Sequence, residues 1–76
     1  MVLDAPVHEL AARVPPTLGE LAPHGAGTRL ELRADSLDWA AGFLAGLGSD
    51  FEVVRPAELR EPLERLAGRL RRAAQA

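Results

Sequence analysis

Cysteine and lysine are both absent from this chain of 76 residues, and only three residues, Trp39, Phe43 and Phe51, are aromatic. The lack of cysteine removes disulfides, thiolate nucleophiles and cysteine-ligated zinc together, and fits a reducing compartment. The lack of lysine makes all nine basic residues arginine, which, beside abundant Ala, Leu, Gly and Pro, reads as the codon bias of a GC-rich genome more than as a binding specialisation. A basic stretch followed by an apolar one is missing from the N-terminus, and no apolar run approaches the roughly 18 residues of a membrane span. Neither secretion nor membrane contact is expected, and the expected location is the cytoplasm. The net charge of −2 argues against a module that holds duplex DNA unaided, because such a grip sums many neutralised phosphates.

What is present is an ordinary globular composition, 47% apolar and 26% charged, outside the regime of disorder. Residues 1–76 are expected to form one domain. A chain of this size buries only about 60% of the surface its unfolded form exposes, so it needs close packing or a partner.

Val2-Leu3 reads as a short strand that feeds a helix at Pro6, since proline lacks the N–H that would be unpaired in a first turn. Val7, Leu10, Ala11 and Val14 fall at i, i+3, i+4 and i+7, one apolar helical stripe that Pro15-Pro16 ends. Thr17–Leu21 and Thr28–Ala34, separated by Ala22-Pro23-His24-Gly25-Ala26-Gly27, read as a hairpin. In the second of these segments Leu30 and Leu32 alternate with Arg29, Glu31 and Arg33, which predicts one buried and one wet face.

Ser36 is placed to cap a helix starting at Leu37, with Asp38 in the dipole-favoured first turn and Gly48 as the expected left-handed terminus. Two apolar stripes run along this helix, one through Leu37, Ala40, Leu44 and Leu47 and one through Trp39 and Phe43. The second stripe must be covered by another element or another chain, and the last helix is the natural candidate within the chain. Gly42 and Gly46 inside it predict close approach of another backbone. Phe51–Arg55 reads as a strand, and Leu59, Leu63, Leu66 and Leu70 give the last helix one leucine face. Pro62 is expected to kink or restart that helix.

The order strand, helix, strand, strand, helix, strand, helix predicts an α+β fold, a ferredoxin-like βαββαβ sheet with helices on one face and an additional C-terminal helix. The opposite face, carrying Arg29, Glu31 and Arg33, is expected to be open.

No residue set has the pattern of a catalytic, cofactor or metal centre. His8 and His24 lie in different elements without a third ligand nearby. Ser36 and Ser49 read as a cap and a loop residue, not as a nucleophile on a strained elbow. Gly25-Ala26-Gly27 joins two strands and does not open a helix, so it is a turn and not a phosphate loop. Glu61 and Arg65 form an i, i+4 surface pair, and Arg69, Arg71 and Arg72 fit a solvated helix end better than a phosphate clamp. Arg29 and Arg33 share the open face and are the candidate contacts to an anionic ligand or nucleic acid. Without aromatics on that strand, base stacking in the manner of common RNA-binding sheets is not expected. Trp39 and Phe43 are the candidate interface residues.

Four segments together follow a familiar pattern: Ala5–Pro16, Ala34-Asp35-Ser36-Leu37-Asp38-Trp39, Gly48-Ser49-Asp50-Phe51-Glu52-Val53 and Pro56-Ala57-Glu58-Leu59-Arg60. In this order and spacing they resemble the WCX domain, the C-terminal extension of WYL-domain transcription regulators. The resemblance spans nearly the whole chain. It implies a longer bacterial regulator in which an N-terminal winged helix-turn-helix contacts DNA, a WYL domain follows and this unit comes last. It also implies a homodimer and a nucleic-acid or small-molecule effector, with no cofactor and no catalysis. A stand-alone ferredoxin-like domain that binds a small ligand or another protein is the alternative.

Overall fold

A computed structural model describes residues 1–75. Its elements are β1 (Val2–Leu3), α1 (Val7–Ala11), β2 (Gly19–His24), β3 (Gly27–Leu32), α2 (Leu37–Ala45), β4 (Phe51–Glu52) and α3 (Arg60–Gln75), with a 3₁₀ turn at Ala57–Leu59 leading into α3. The four strands form one antiparallel sheet in the order β2-β3-β1-β4. The expected α+β class, with a terminal helix added, is observed.

The alternation in β3 sets the two faces of this sheet. Thr28 and Leu30 are buried together with Leu3 of β1, whereas Arg29 and Glu31 are exposed. Leu10 of α1, Ala40, Ala41 and Leu44 of α2, and Leu59 of the 3₁₀ turn complete the core on the first face. Thr28 is the one buried polar residue of this core among those described, and its Oγ1 donates to the Ala5 carbonyl at 2.7 Å. That bond ties β3 to the junction between β1 and α1.

Several element boundaries differ from expectation, each for a local reason. The first helix stops after Ala11, where the Arg13 N–H turns to the Leu10 carbonyl at 2.9 Å in a tighter turn and the Val14 N–H makes the last helix-like bond to the same carbonyl, at 2.8 Å. The following Pro15 disfavours helical backbone at Val14, which stays buried by the turn. The hairpin begins later and reaches further than predicted. Gly19 pairs with Leu32 and His24 with Gly27, so Ala22-Pro23-His24 belongs to β2 and only Gly25-Ala26 turns. Pro23 is accommodated because β2 lies at the sheet edge, where a strand can forgo an N–H on its outer side.

The strand at Phe51 is only two residues long, not the five expected. Val53 gives its carbonyl to the Arg60 side chain at 2.8 Å and not to a neighbouring strand. The helix expected to break at Pro62 instead begins two residues earlier, at Arg60. Proline therefore sits in a first turn, where a missing N–H costs little.

α2 starts as predicted, with the Ser36 hydroxyl accepting the Trp39 N–H at 3.1 Å. It ends at Gly46, whose N–H reaches the carbonyls of Gly42 and Phe43, both at 3.2 Å. The expectation that Gly42 and Gly46 admit another backbone is not met. A Cβ at Gly42 would meet nothing within 4 Å, and one at Gly46 only its own helix carbonyls at ordinary distance. Packing requires glycine instead at Gly27, where a Cβ would crowd the Leu3 carbonyl oxygen, and at Gly19, which carries no local signal of that role. Its φ is +154°, and a Cβ there would overlap the Glu31 carbonyl oxygen.

Gly19 and Gly42 should therefore respond oppositely to alanine. Gly19→Ala is expected to cost about 3 kcal/mol or more, through strain and a backbone clash. Gly42→Ala should add about 0.5–1 kcal/mol, the usual gain for a helix interior. Urea unfolding followed by circular dichroism measures both, and equal responses would contradict the assigned backbone.

Candidate nucleic-acid or anion interface

The register places Ala22, Arg29, Val2 and Glu52 in one row across the four strands on the open face. The neighbouring row holds Glu20 opposite Glu31. Arg29 is thus held mid-sheet, between two side chains too short to shield it. Arg33, just beyond β3, is tied to the sheet by its N–H, which reaches the Leu18 carbonyl at 2.7 Å, and its guanidinium is paired with Glu20. The two arginines expected from the alternation do share this face, yet they differ in availability. Arg33 is engaged by a carboxylate, while Arg29 has no ion-pair partner among the described residues.

Arg29 has a different neighbour instead. A shallow open concavity of about 500 Å³ is lined by Met1, Arg29, Leu30, Glu31, Leu32, Arg55 and Pro56. Arg55 follows β4 and is not among the candidates that the sequence pattern singles out. Its only signal there is the alternation of Phe51, Val53 and Arg55, which does not indicate that the chain swings toward β3. The Met1 ammonium lies beside this concavity and donates to the Leu30 carbonyl at 2.9 Å. Burial first, and then the charges of Arg55 and Arg29, hold its pKa below the ordinary 8.0, with Glu31 opposing. The cleft combines two guanidinium groups with one carboxylate and no aromatic ring. Such a set can hold a phosphate or carboxylate by charge-assisted hydrogen bonds, and it offers no platform for base stacking.

The second candidate pair lies on α2. Trp39 and Phe43 stack on each other with ring centroids 5.5 Å apart and 29° between planes. Phe43 is half-buried against the core, whereas Trp39 is 50% exposed. The last helix does not cover them, contrary to expectation. The groove between α2 and α3 is lined by Asp38, Ala41 and Gly42 from one helix and by Pro62, Arg65, Leu66 and Arg69 from the other. Arg65 locks this contact, donating to Asp38 and to Glu61, both at 2.8 Å. Phe43 borders a separate open hollow with Gly42, Gly46, Leu47 and Arg13. Arg13 donates to the Leu47 carbonyl, joining the end of α1 to the end of α2.

His8 and His24 are both exposed, in α1 and at the end of β2, and no group of three or more metal-ligating side chains occurs among the described residues. No helix among the described residues is long and apolar enough to cross a membrane.

The position of Trp39 has a measurable consequence. Trp39→Ala should cost about 1–2 kcal/mol, the scale of a half-buried ring and one aromatic pair, and not the roughly 3–5 kcal/mol of a buried one. Because it is the only tryptophan, its fluorescence should be red-shifted and open to acrylamide quenching. A blue-shifted, protected signal would put it in the core.

No curated protein and no solved structure matches this chain. The sequence pattern of the WCX domain, by contrast, aligns with residues 2–74, covering every strand and all but the last residue of α3. The chain belongs to the WCX domain family.

Proposed function

We propose that this chain is a non-catalytic regulatory module, the C-terminal unit of a WYL-type bacterial transcription regulator. In this reading it senses an anionic effector on its open sheet face and contributes to the dimer that positions the DNA-binding domains of the same protein. Its direct partners are the WYL and helix-turn-helix domains of its own chain and a second subunit, and DNA is reached through the N-terminal domain. The family membership supports the regulatory role. The strand order, with every neighbouring pair antiparallel, supports the ferredoxin-like arrangement.

One observation carries the sensing half of the proposal. Arg29 and Arg55 line one open concavity of the sheet face, with Arg29 unpaired among the described residues. Two guanidinium groups around a cleft of about 500 Å³ fit a phosphate-bearing ligand such as a nucleotide or a short single strand. The nearby carboxylates Glu31 and Glu52 keep the face from attracting polyanions indiscriminately. Arg33, already paired with Glu20, serves mainly to hold the β2–β3 hairpin.

Binding of a fluorescently labelled single-stranded oligonucleotide, followed by anisotropy at several salt concentrations, tests this. Arg29→Ala and Arg55→Ala are each expected to weaken binding about tenfold, the scale of one lost charge-assisted contact, and to flatten the salt dependence. Arg33→Ala should have less than half that effect on a logarithmic scale. Equal losses from all three, or none from Arg29→Ala, would remove the concavity as the binding site.

A further inference from the structure

We propose that α3 pairs antiparallel with α3 of a second copy of this chain, which gives the dimerising half of the proposed function a specific surface. The starting observation is that α3 is sixteen residues long and has no buried residue. Its contact with the body uses the flank carrying Pro62, Arg65, Leu66 and Arg69, and also Leu63, which packs against the core. A second apolar stripe runs beside that flank through Leu63, Ala67, Leu70 and Ala74, at i, i+4, i+7 and i+11. Leu63 is half-buried, Ala67 and Ala74 are exposed, and Leu70 is 54% exposed. This spacing is that of a helix–helix seam; Leu63 begins it against the core, and Ala67, Leu70 and Ala74 continue it exposed.

Charge selects the occupant and its direction. The N-terminal half of the helix region carries Glu58, Glu61 and Glu64 together with Arg60 and Arg65, which are engaged by the Val53 carbonyl and by Asp38 and Glu61, and the C-terminal half carries Arg69, Arg71 and Arg72 with no acidic residue. A second copy laid parallel would set arginine against arginine and glutamate against glutamate. Laid antiparallel, with its crossing point near Ala67 and Gly68, it brings Glu64 opposite Arg71 of the partner subunit, and the symmetry repeats the pair in reverse. Glu64 and Arg71 are both exposed, and neither has an ion-pair partner among the described residues. They lie one heptad apart, beside the stripe, where charges set orientation in paired helices. Leu70 then packs beside Leu63 and Ala67 of the partner subunit, and the small residues at the crossing allow the two backbones to approach. The contact is isologous, as a two-fold dimer requires. A single helix pair is smaller than a standard stable interface, so the isolated chain associates weakly and the rest of the regulator adds to it.

Sedimentation equilibrium of the chain, from low micromolar to millimolar concentration and at low salt, tests this directly. A monomer–dimer equilibrium is expected. Leu70→Glu should leave only monomer. Glu64→Arg and Arg71→Glu should each weaken the dimer about tenfold, since each turns two attractive pairs repulsive, and the double exchange should recover most of the loss. All three side chains are exposed, so thermal melts should show the variants folded. A monomer throughout the range would overturn both this pairing and self-association of the domain. A dimer indifferent to Leu70→Glu and to the charge exchanges, yet dissociated by Trp39→Ala, would overturn the α3 pairing while leaving the domain a dimerising one.

Discussion

The sheet of this domain turns on a central strand of two residues. β1 supplies Val2 and Leu3, and Met1 before them exchanges two bonds with Leu30, yet both β3 and β4 pair with this short segment. A ladder that short offers few backbone bonds to either neighbour. The Thr28 hydroxyl supplies a further link, donating from the centre of β3 to the Ala5 carbonyl at 2.7 Å, fully removed from solvent. It satisfies a carbonyl just past the end of β1, where no strand partner is available. A buried carbonyl without a donor would cost about 1–3 kcal/mol, a large share of the few kcal/mol that a chain this small has in reserve. The Asp4 N–H, bonded to the Asp50 carbonyl at 2.8 Å, performs the corresponding task toward β4.

From that junction the division of labour follows. Once Leu3 and Thr28 point to the helices, alternation turns Val2 and Arg29 to the other face, and the pairing of Val2 with Glu52 brings the chain after β4 past the same place. Arg55 consequently borders the cleft of Arg29. The opposite layer is equally determined. α2 spends one stripe on the sheet, with Ala40, Ala41 and Leu44 buried. It meets α3 through Asp38, Ala41 and Gly42, which leaves the Trp39 and Phe43 pair on a separate side. Nothing in α3 is fully buried, and while Leu63 packs against the core, Leu70 on the same flank stays exposed.

Features that depend on near neighbours along the chain are legible in the sequence. The Ser36 cap, the wet and dry alternation from Thr28 to Arg33 and the Glu61–Arg65 pair all follow from local spacing and are observed, whereas the single leucine face is not, since Leu59 belongs to the 3₁₀ turn and Leu70 is exposed. Misreadings arise where a local signal has two physical meanings, or none. Pro23 reads as a turn residue, although at a sheet edge it only forgoes an outward N–H. Gly19 gives no sign of the carbonyl it admits, because that carbonyl comes from another strand. Pro62 reads as a break when Leu59 is counted into the helix, and as a first-turn residue once the helix begins at Arg60. Gly42 reads as a packing glycine because composition cannot tell an open position from a crowded one. The candidate site is half legible. Alternation puts Arg29 and Arg33 on the right face, but the Arg33–Glu20 pair and the approach of Arg55 depend on strand register, which no local pattern encodes. The family resemblance spans nearly the whole chain, and the match shows it.

Replacing Thr28 with valine keeps the volume and removes only the donor to Ala5, so its effect on urea unfolding probes the junction on which the sheet depends. A loss of about 1–3 kcal/mol with the cooperative transition retained is the predicted result. A loss below about 0.5 kcal/mol, the range of ordinary surface changes, would contradict it and place the hold on the central strand elsewhere.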